Sequence, residues 1–242
     1  MSYTAYDDFA WFYDRYWGSQ FLSVHERVLR DLFVSRVKHE RAVLDLCCGT
    51  GQITQWLARE GYKVTGLDGS RQMLERAQKN APDSIFLCRD IRDFKIINMF
   101  HAALCTFDSI NHVMAPQELT NVFNNVYGAL RGGGLFVFDV NTDEGFKARW
   151  KGTMSIIAKD HVLAAEPTYD PKRREGRSSF VTFRRDKRRW NRTDVVIMER
   201  AYTQVEIEKR LAKSLFKSIR AYDARRDFKL KEVGRLFFVC EK

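Results

Sequence analysis

Five short runs rich in β-branched, aromatic and cysteine residues recur within the first 140 positions, at 42–47, 63–68, 84–88, 101–107 and 134–140, with helix-length amphipathic segments between them. Runs that are apolar at nearly every position suit strands buried on both faces. The intervening segments at 52–60, 70–80 and 116–130, with a shorter link at 91–100, have the length and pattern of crossover helices, and Ser70 stands where an N-cap is needed. Strand and helix alternating at this spacing predict a doubly wound, mostly parallel α/β sheet. Ahead of it, residues 3–39 read as two helices, the first dense in rings at Tyr3, Tyr6, Phe9, Trp11, Phe12, Tyr13, Tyr16 and Trp17, which suit a core as well as a lid. After the fifth run the period changes. Strand-like stretches such as SSFVTFRR and DVVIMERAY follow one another without helices, which predicts an antiparallel insertion over 150–202. A helix over 203–215, opened by a Thr203/Glu206 capping box, and strands at 217–222 and 235–241 close the chain. The expected division is a helical lid at 1–40, an α/β core at 41–149, an antiparallel insertion or substrate cap at 150–202, and a segment at 203–242 that completes the core sheet.

At 242 residues and 45% hydrophobic content the chain can bury a sizeable core. No apolar run approaches twenty residues, mean hydropathy is −0.41, and the aromatic, acidic start lacks the features of a leader, so a soluble cytoplasmic protein without a membrane span is expected. The five cysteines lack CxxC spacing and mostly fall inside strand-like runs, and the five histidines are scattered singly; reduced core thiols and no structural metal are expected. Charge divides the chain more sharply than it describes the whole. Residues 1–142 carry 15 Lys+Arg against 16 Asp+Glu, whereas 143–242 carry 26 against 15. Within the second part, 172–192 (KRREGRSSFVTFRRDKRRWNR) holds ten basic and two acidic side chains.

The strongest chemical signal is the run from Val43 to Gly51, VLDLCCGTG, a strand ending beside the acidic Asp45 and passing through small residues into a helix. Glycines at Gly49 and Gly51 let the backbone approach a ligand and take dihedrals that a Cβ disfavours. Asp68 ends the second strand seventeen positions later, placed to accept from both hydroxyls of a ribose, and Asp90 follows the third strand, placed to meet an adenine amino group. Each feature alone is weak, since an Asp after a strand is commonly a helix cap. In order and in register, they converge on the carboxyl edge of the sheet, where open α/β folds bind ligands, and they favour a nucleoside cofactor.

On these residues the chain resembles the class I S-adenosylmethionine (SAM)-dependent methyltransferases. DLCCGTG is similar to the family's first motif, GLDGSRQML to the second, CRDIRDF to the third, CTFDSINHV to the fourth-strand segment, and ALRGGGLFVFDVNT to the fifth strand with its preceding turn. The resemblance implies a seven-stranded mixed sheet of order 3-2-1-4-5-7-6 and SAM as cofactor. It places Gly49 and Gly51 at the methionine part, Asp68 at the ribose, Met73 on the adenine face, Asp90 and Ile91 at the adenine edge, and Phe107 at the sulfonium end, with Asp45 and Gly69 also among the cofactor-binding residues. A YD-containing lid helix is implied too, with Tyr13 and then Trp17 as its contacts. Cys47 departs from a frequent glycine or alanine, and Arg131-Gly132-Gly133 from a common Lys-Pro-Gly. His112 and Asp108 fall at the implied mouth as candidate proton acceptors; a packing role beside the fourth strand suits His112 equally.

The fourth-strand segment Thr106-Phe107-Asp108-Ser109 lacks the (D/N/S)PP(Y/F/W) clamp of amino-base methyltransferases, and no Pro precedes a Cys, so base methylation is disfavoured. With its insertion, the chain resembles small-molecule methyltransferases, including sugar N-methyltransferases. The expected reaction is methyl transfer to nitrogen or oxygen of a small metabolite, with the basic insertion selecting an anionic one. Alternatives are an RNA methyltransferase using that insertion, a solvated strand face of no functional consequence, a nicotinamide oxidoreductase, disfavoured because Thr54 stands at the third glycine of GxGxxG, and a non-catalytic SAM-binding module.

Overall fold

The computed structural model describes residues 4–39 and 41–242; Tyr3, counted above among the aromatic residues of the first helix, lies outside the described residues, as do positions 1, 2 and 40. Helices α1 (Thr4–Tyr16) and α2 (Gln20–Leu29), the latter running into a π-helical turn at Arg30–Val34, precede the sheet. The chain then alternates through β1 (Ala42–Leu46), α3 (Gln52–Arg59), β2 (Lys63–Asp68), α4 (Arg71–Asn80), β3 (Ile85–Cys88), β4 (Phe100–Cys105), α5 (Glu118–Ala129) and β5 (Leu130–Asn141). A short helix α6 (Asp143–Arg149) leads into β6 (Met154–Ile157), β7 (His161–Asp170), β8 (Glu175–Asp186) and β9 (Arg189–Arg200). Then α7 (Gln204–Leu211), β10 (Ser218–Asp223), α8 (Ala224–Phe228) and β11 (Arg235–Glu241) complete the fold.

Seven strands form one sheet in the order β10-β11-β5-β4-β1-β2-β3, which is 3-2-1-4-5-7-6 when the core strands are numbered alone. β11 runs antiparallel to both β5 and β10, and the other pairings are parallel. Both faces are covered, as the unbroken apolar runs require. Val43, Leu104, Val137 and Phe237 pack toward α2, α3 and the π turn, while Leu44, Ala103, Phe138 and Phe238 pack toward α5 and α7. β6–β9 form a separate antiparallel sheet, the insertion expected from the change of period. A third cluster joins its inner face to α1, with Phe9 and Phe12 against Leu163, Phe180 and Ile197.

The two expected caps form. Ser70 Oγ accepts from the Met73 amide, and Thr203 and Glu206 cap each other reciprocally. The last helix is shorter than expected: it ends at Leu211, where the chain turns to bury Phe216 before entering β10. The link after β3 forms no helix, and α6 and α8 have no counterpart in the sequence reading. All five cysteines are free thiols. Among the described residues no helix is long and apolar enough to cross a membrane, and no cluster of three His, Cys, Asp or Glu could hold a metal.

Candidate active site

A cavity of about 750 Å³ opens at the carboxyl edge of β1, β2 and β4, roofed by α1 and by the inner face of the inserted sheet. Of the residues singled out from sequence, Tyr13, Trp17, Gly49, Asp68, Gly69, Met73, Ile91, Phe107, Asp108 and His112 line it. One wall is built by the loops after β1 and β2. The Asp68 carboxylate accepts from the Gly49 amide through Oδ2 at 2.9 Å and from the Ser70 amide through Oδ1 at 2.8 Å, so it ties the two loops together. Each oxygen keeps a lone pair for a further donor. Burial pushes this carboxyl up to about 6, against the pull of those backbone amides. Gly49 has φ +52°, and a Cβ there would come within 3.3 Å of the Tyr13 ring. A glycine is needed on both counts.

Three expected cofactor contacts lie elsewhere. Asp45 is buried on the helix side of β1 and accepts from Thr54 Oγ1 at 2.6 Å; burial lifts its carboxyl to about 7, and the group anchors α3 without lining the cavity. Gly51 has φ +85° and starts α3, where a Cβ would sit 2.9 Å from Ala77 Cα, so this glycine serves the turn and the close packing of α3 on α4. Asp90 is engaged by Arg92, whose guanidinium meets both of its carboxylate oxygens, and Arg92 lines the cavity in its place.

The roof helix is latched at both ends of one face. Asp7 Oδ1 accepts from Ser70 Oγ (2.6 Å) and from the Gln72 amide (3.0 Å) at the start of α4. Asp14 Oδ1 accepts from Gln52 and Asn80 side chains, each at 2.8 Å. These acids belong to two Tyr-Asp dipeptides seven residues apart, a spacing that puts both pairs on one helix face. That repeat was the signal for Tyr6, which the sequence reading left among the general aromatic residues.

His112 occupies the far end of the cavity, in the 3-10 turn Ser109–His112. Its Nδ1 lies 3.1 Å from the Met198 carbonyl, an acceptor only, and therefore carries the proton; Nε2, 2.9 Å from Tyr6 Oη, accepts. Burial lowers its pKa, so the ring is neutral with a lone pair on Nε2. Asp108 lines the cavity but is held in a buried network: Asn141 Nδ2 donates to Oδ2, Arg235 approaches Oδ1 at 3.5 Å, and the Asp108 amide donates to Asp139 Oδ2. Its backbone, like that of Phe107 and Cys47, has positive φ, +54°, +61° and +54°, which is strain concentrated around the cavity. Asp108 shapes the site and is not placed as a base.

Glu199 of β9 also lines the cavity and has no counterpart in the sequence reading. Its Oε1 is 3.8 Å from His112 Nε2. The signal was available, since Val195, Ile197 and Glu199 alternate with outward residues on the inner face of β9, and an acid at a core position is unusual.

The basic stretch 172–192 contributes only Ser178 and Phe180 to the cavity. Lys172, Arg173 and Arg174 are at the β7–β8 turn, Lys187 and Arg188 at the β8–β9 turn with Arg189 beside it, and the period of two turns Arg177, Arg185 and Arg192 to the outer face. Arg184 has the inward parity but stacks over the Trp11 ring of α1 at 4.7 Å, an ordinary structural use of a cation. The expectation that the basic insertion selects an anionic metabolite finds none of its cations on the cavity wall.

The sheet order, the antiparallel β11 and the cavity at the carboxyl edge define the class I SAM-dependent methyltransferase fold. Residues 43–134 match the methyltransferase domain family. The chain is 36% identical over 104 residues to the putative methyltransferase YqeM of Bacillus subtilis (strain 168), covering 41% of this chain and 42% of that protein. It is 31% identical over 111 residues to a dTDP-3-amino-3,4,6-trideoxy-alpha-D-glucopyranose N,N-dimethyltransferase of Streptomyces venezuelae, covering 46% and 47%. Matches to the curated relatives thus span about half of their length. The whole fold is shared with an S-adenosylmethionine-dependent methyltransferase from Clostridium acetobutylicum ATCC 824, at a TM-score of 0.78 and 23% identity, covering 98% of each chain.

Proposed function

We propose that the chain binds SAM and transfers its methyl group to a nitrogen or oxygen of a small metabolite in the cytoplasm, a compartment that suits five free thiols. The observation that carries this reading is the roofed cavity, whose wall holds Asp68 and Gly49 together with the neutral His112. The residues fit the cofactor: Asp68 has spare lone pairs for the ribose hydroxyls, the backbone at Gly49 and Gly69 comes close because no Cβ intervenes, and Met73 and Ile91 give apolar contact to a purine. Tyr13, Trp17 and Phe107 enclose the reacting end. Bound SAM supplies an electrophilic methyl group whose leaving thioether needs no proton, so alignment of the acceptor provides most of the acceleration. α1 and the inserted sheet exclude water from that alignment, and His112 Nε2 takes the proton that the acceptor releases by way of the Tyr6 hydroxyl bonded to it. An anionic portion of the metabolite is met by Lys231, on the cavity wall.

The nicotinamide alternative loses ground, because the antiparallel strand β11 inserted beside β5 departs from the parallel 3-2-1-4-5-6 order of dinucleotide-binding sheets. The test is transfer of labelled methyl from SAM into separate small-metabolite and RNA pools, with His112→Ala beside the wild type. Label is expected in the small molecules, with turnover lowered more than about tenfold in His112→Ala at unchanged SAM affinity. Label in RNA alone, or tight SAM binding without transfer to either pool, refutes the reading.

A further inference from the structure

Glu199 poses a problem that the protein does not solve by itself. Its side chain is 9% exposed, and Oε2 is shut off from solvent with no hydrogen-bond partner. The cations nearest the cluster are committed elsewhere: Arg235 to Asp139, Asp108 and Glu232, and Arg149 to the Val233 carbonyl and Asn141 Oδ1. Neutral His112, with Nε2 3.8 Å from Glu199 Oε1, offers it no proton, because Nδ1–H is used on the Met198 carbonyl and the Nε2 lone pair accepts from Tyr6 Oη. A buried carboxylate in this state is unfavourable unless a partner arrives, and groups left this way are characteristic of binding sites. Glu199, His112 and Tyr6 all line the cavity, so a partner that enters it meets the carboxylate through Oε1, with Oε2 enclosed behind.

Resting on the methyl-transfer reading above, we propose that Glu199 determines acceptor specificity: its carboxylate receives the N–H groups of a cationic nitrogen, so the methyl acceptor is an amine that enters as its ammonium ion. A hydroxyl brings one donor and no charge, and leaves the carboxylate uncompensated. The step balances. One N–H bond breaks and its proton passes to Tyr6 Oη as the Tyr6 hydroxyl hands its own proton to His112 Nε2, 2.9 Å away; the nitrogen pair freed in this way forms the new N–C bond, and the C–S pair leaves with the thioether. Positive charge stays within reach of Glu199 throughout, first on the acceptor and then shared with the imidazolium and the methylated nitrogen. Burial, and then the neighbouring Asp108, raise the Glu199 carboxyl well above its ordinary range against the pull of the Arg235 and Arg149 guanidiniums, which are held by other partners.

The test compares the wild type with Glu199→Gln on paired panels, amino sugars and amino acids against the corresponding sugars and 2-hydroxy acids, with SAM affinity by calorimetry and Tm as independent readouts. Expected are methylation confined to the amine panel, a rise in KM for the amine of about ten- to hundredfold in Glu199→Gln with kcat changed less, an unchanged SAM Kd, and a Tm that does not fall, since the carboxyl that is replaced makes no hydrogen bond within the protein. Methylation of hydroxyl acceptors, an amine KM that Glu199→Gln leaves in place, or a lowered Tm, which marks the carboxylate as structural, each overturns the proposal while methyl transfer stands. No transfer to either panel by a folded, SAM-binding wild type overturns the methyl-transfer reading and this proposal with it.

Discussion

Asp68 makes the cofactor assignment testable through pH. Only the ionised carboxylate can accept from two ribose hydroxyls while holding the Gly49 and Ser70 amides, and its folded-state pKa is about 6. The ionised fraction is then about nine-tenths at pH 7 and about one-tenth at pH 5, so the apparent SAM Kd rises about tenfold over that interval. Asp68→Asn removes the titration and the charge, and is expected to weaken SAM binding about ten- to hundredfold at pH 7 with little further change down to pH 5. The fold survives this substitution. The folded pKa lies above the unfolded value of 3.8, so the folded chain keeps a proton that the unfolded chain releases; stability falls as pH rises through the window from 3.8 to about 6, by about 3 kcal/mol, and ionised Asp68 is a burden at pH 7. Asparagine lifts that burden while giving up one backbone hydrogen bond, worth about 1 kcal/mol. Calorimetric titration with SAM at pH 5, 6 and 7 on both proteins checks the argument. A wild-type Kd that does not move between pH 7 and pH 5, or an equal slope in Asp68→Asn, refutes the reasoning.

Gly51→Ala is expected to lower Tm by several degrees, on the order of 2 kcal/mol or more, because φ is +85° and the new Cβ would meet Ala77 Cα at 2.9 Å; thermal denaturation measures it, and a Tm within one degree of wild type removes Gly51 from the packing argument. Reversing Arg185, Arg188 and Arg189 to Glu, all exposed and none on the cavity wall, is expected to leave KM and kcat within about twofold of wild type; a KM raised tenfold in steady-state assays would return the basic stretch to substrate capture.

What could be read from the sequence were the features carried by local pattern. Apolar runs of strand length gave the order of the core elements, and Gly49, Asp68, Met73 and Phe107 line one cavity because strand ends converge on one edge of an open sheet. Asp45, Gly51 and Asp90 satisfy the same pattern yet work elsewhere, since a motif records chain position and not the direction of a side chain; Asp45 points toward α3, and Asp90 is claimed by a neighbour two residues on. Tyr6 and Glu199 were missed for the opposite reason. Their meeting with His112 joins residues 6, 112 and 199, a juxtaposition that only the packing of α1 and the inserted sheet over the core produces.

The charge of the insertion shows why a linear count misleads in a sheet. Summed along 172–192 the cations look like one patch, but alternation separates the outward Arg177, Arg185 and Arg192 from the inward Ser178, Phe180 and Thr182. The face that meets the cavity is apolar and ends in one acid. Its seating depends on the free edge of β9. As the last strand of its sheet, β9 has carbonyls without a strand partner, and the core turn uses two of them: Asn111 Nδ2 donates to the Arg200 carbonyl at 2.7 Å and His112 Nδ1 to that of Met198 at 3.1 Å. Asn111 is in turn fixed to both backbone groups of Asn141 at the end of β5. These contacts select the tautomer in which His112 Nε2 accepts from Tyr6 Oη, and they fix the register that points Glu199 inward. A one-residue slip of β9 would turn Glu199 to the outer face, so the His112 tautomer and the carboxyl beside it are set by the same few hydrogen bonds between the core and the inserted sheet.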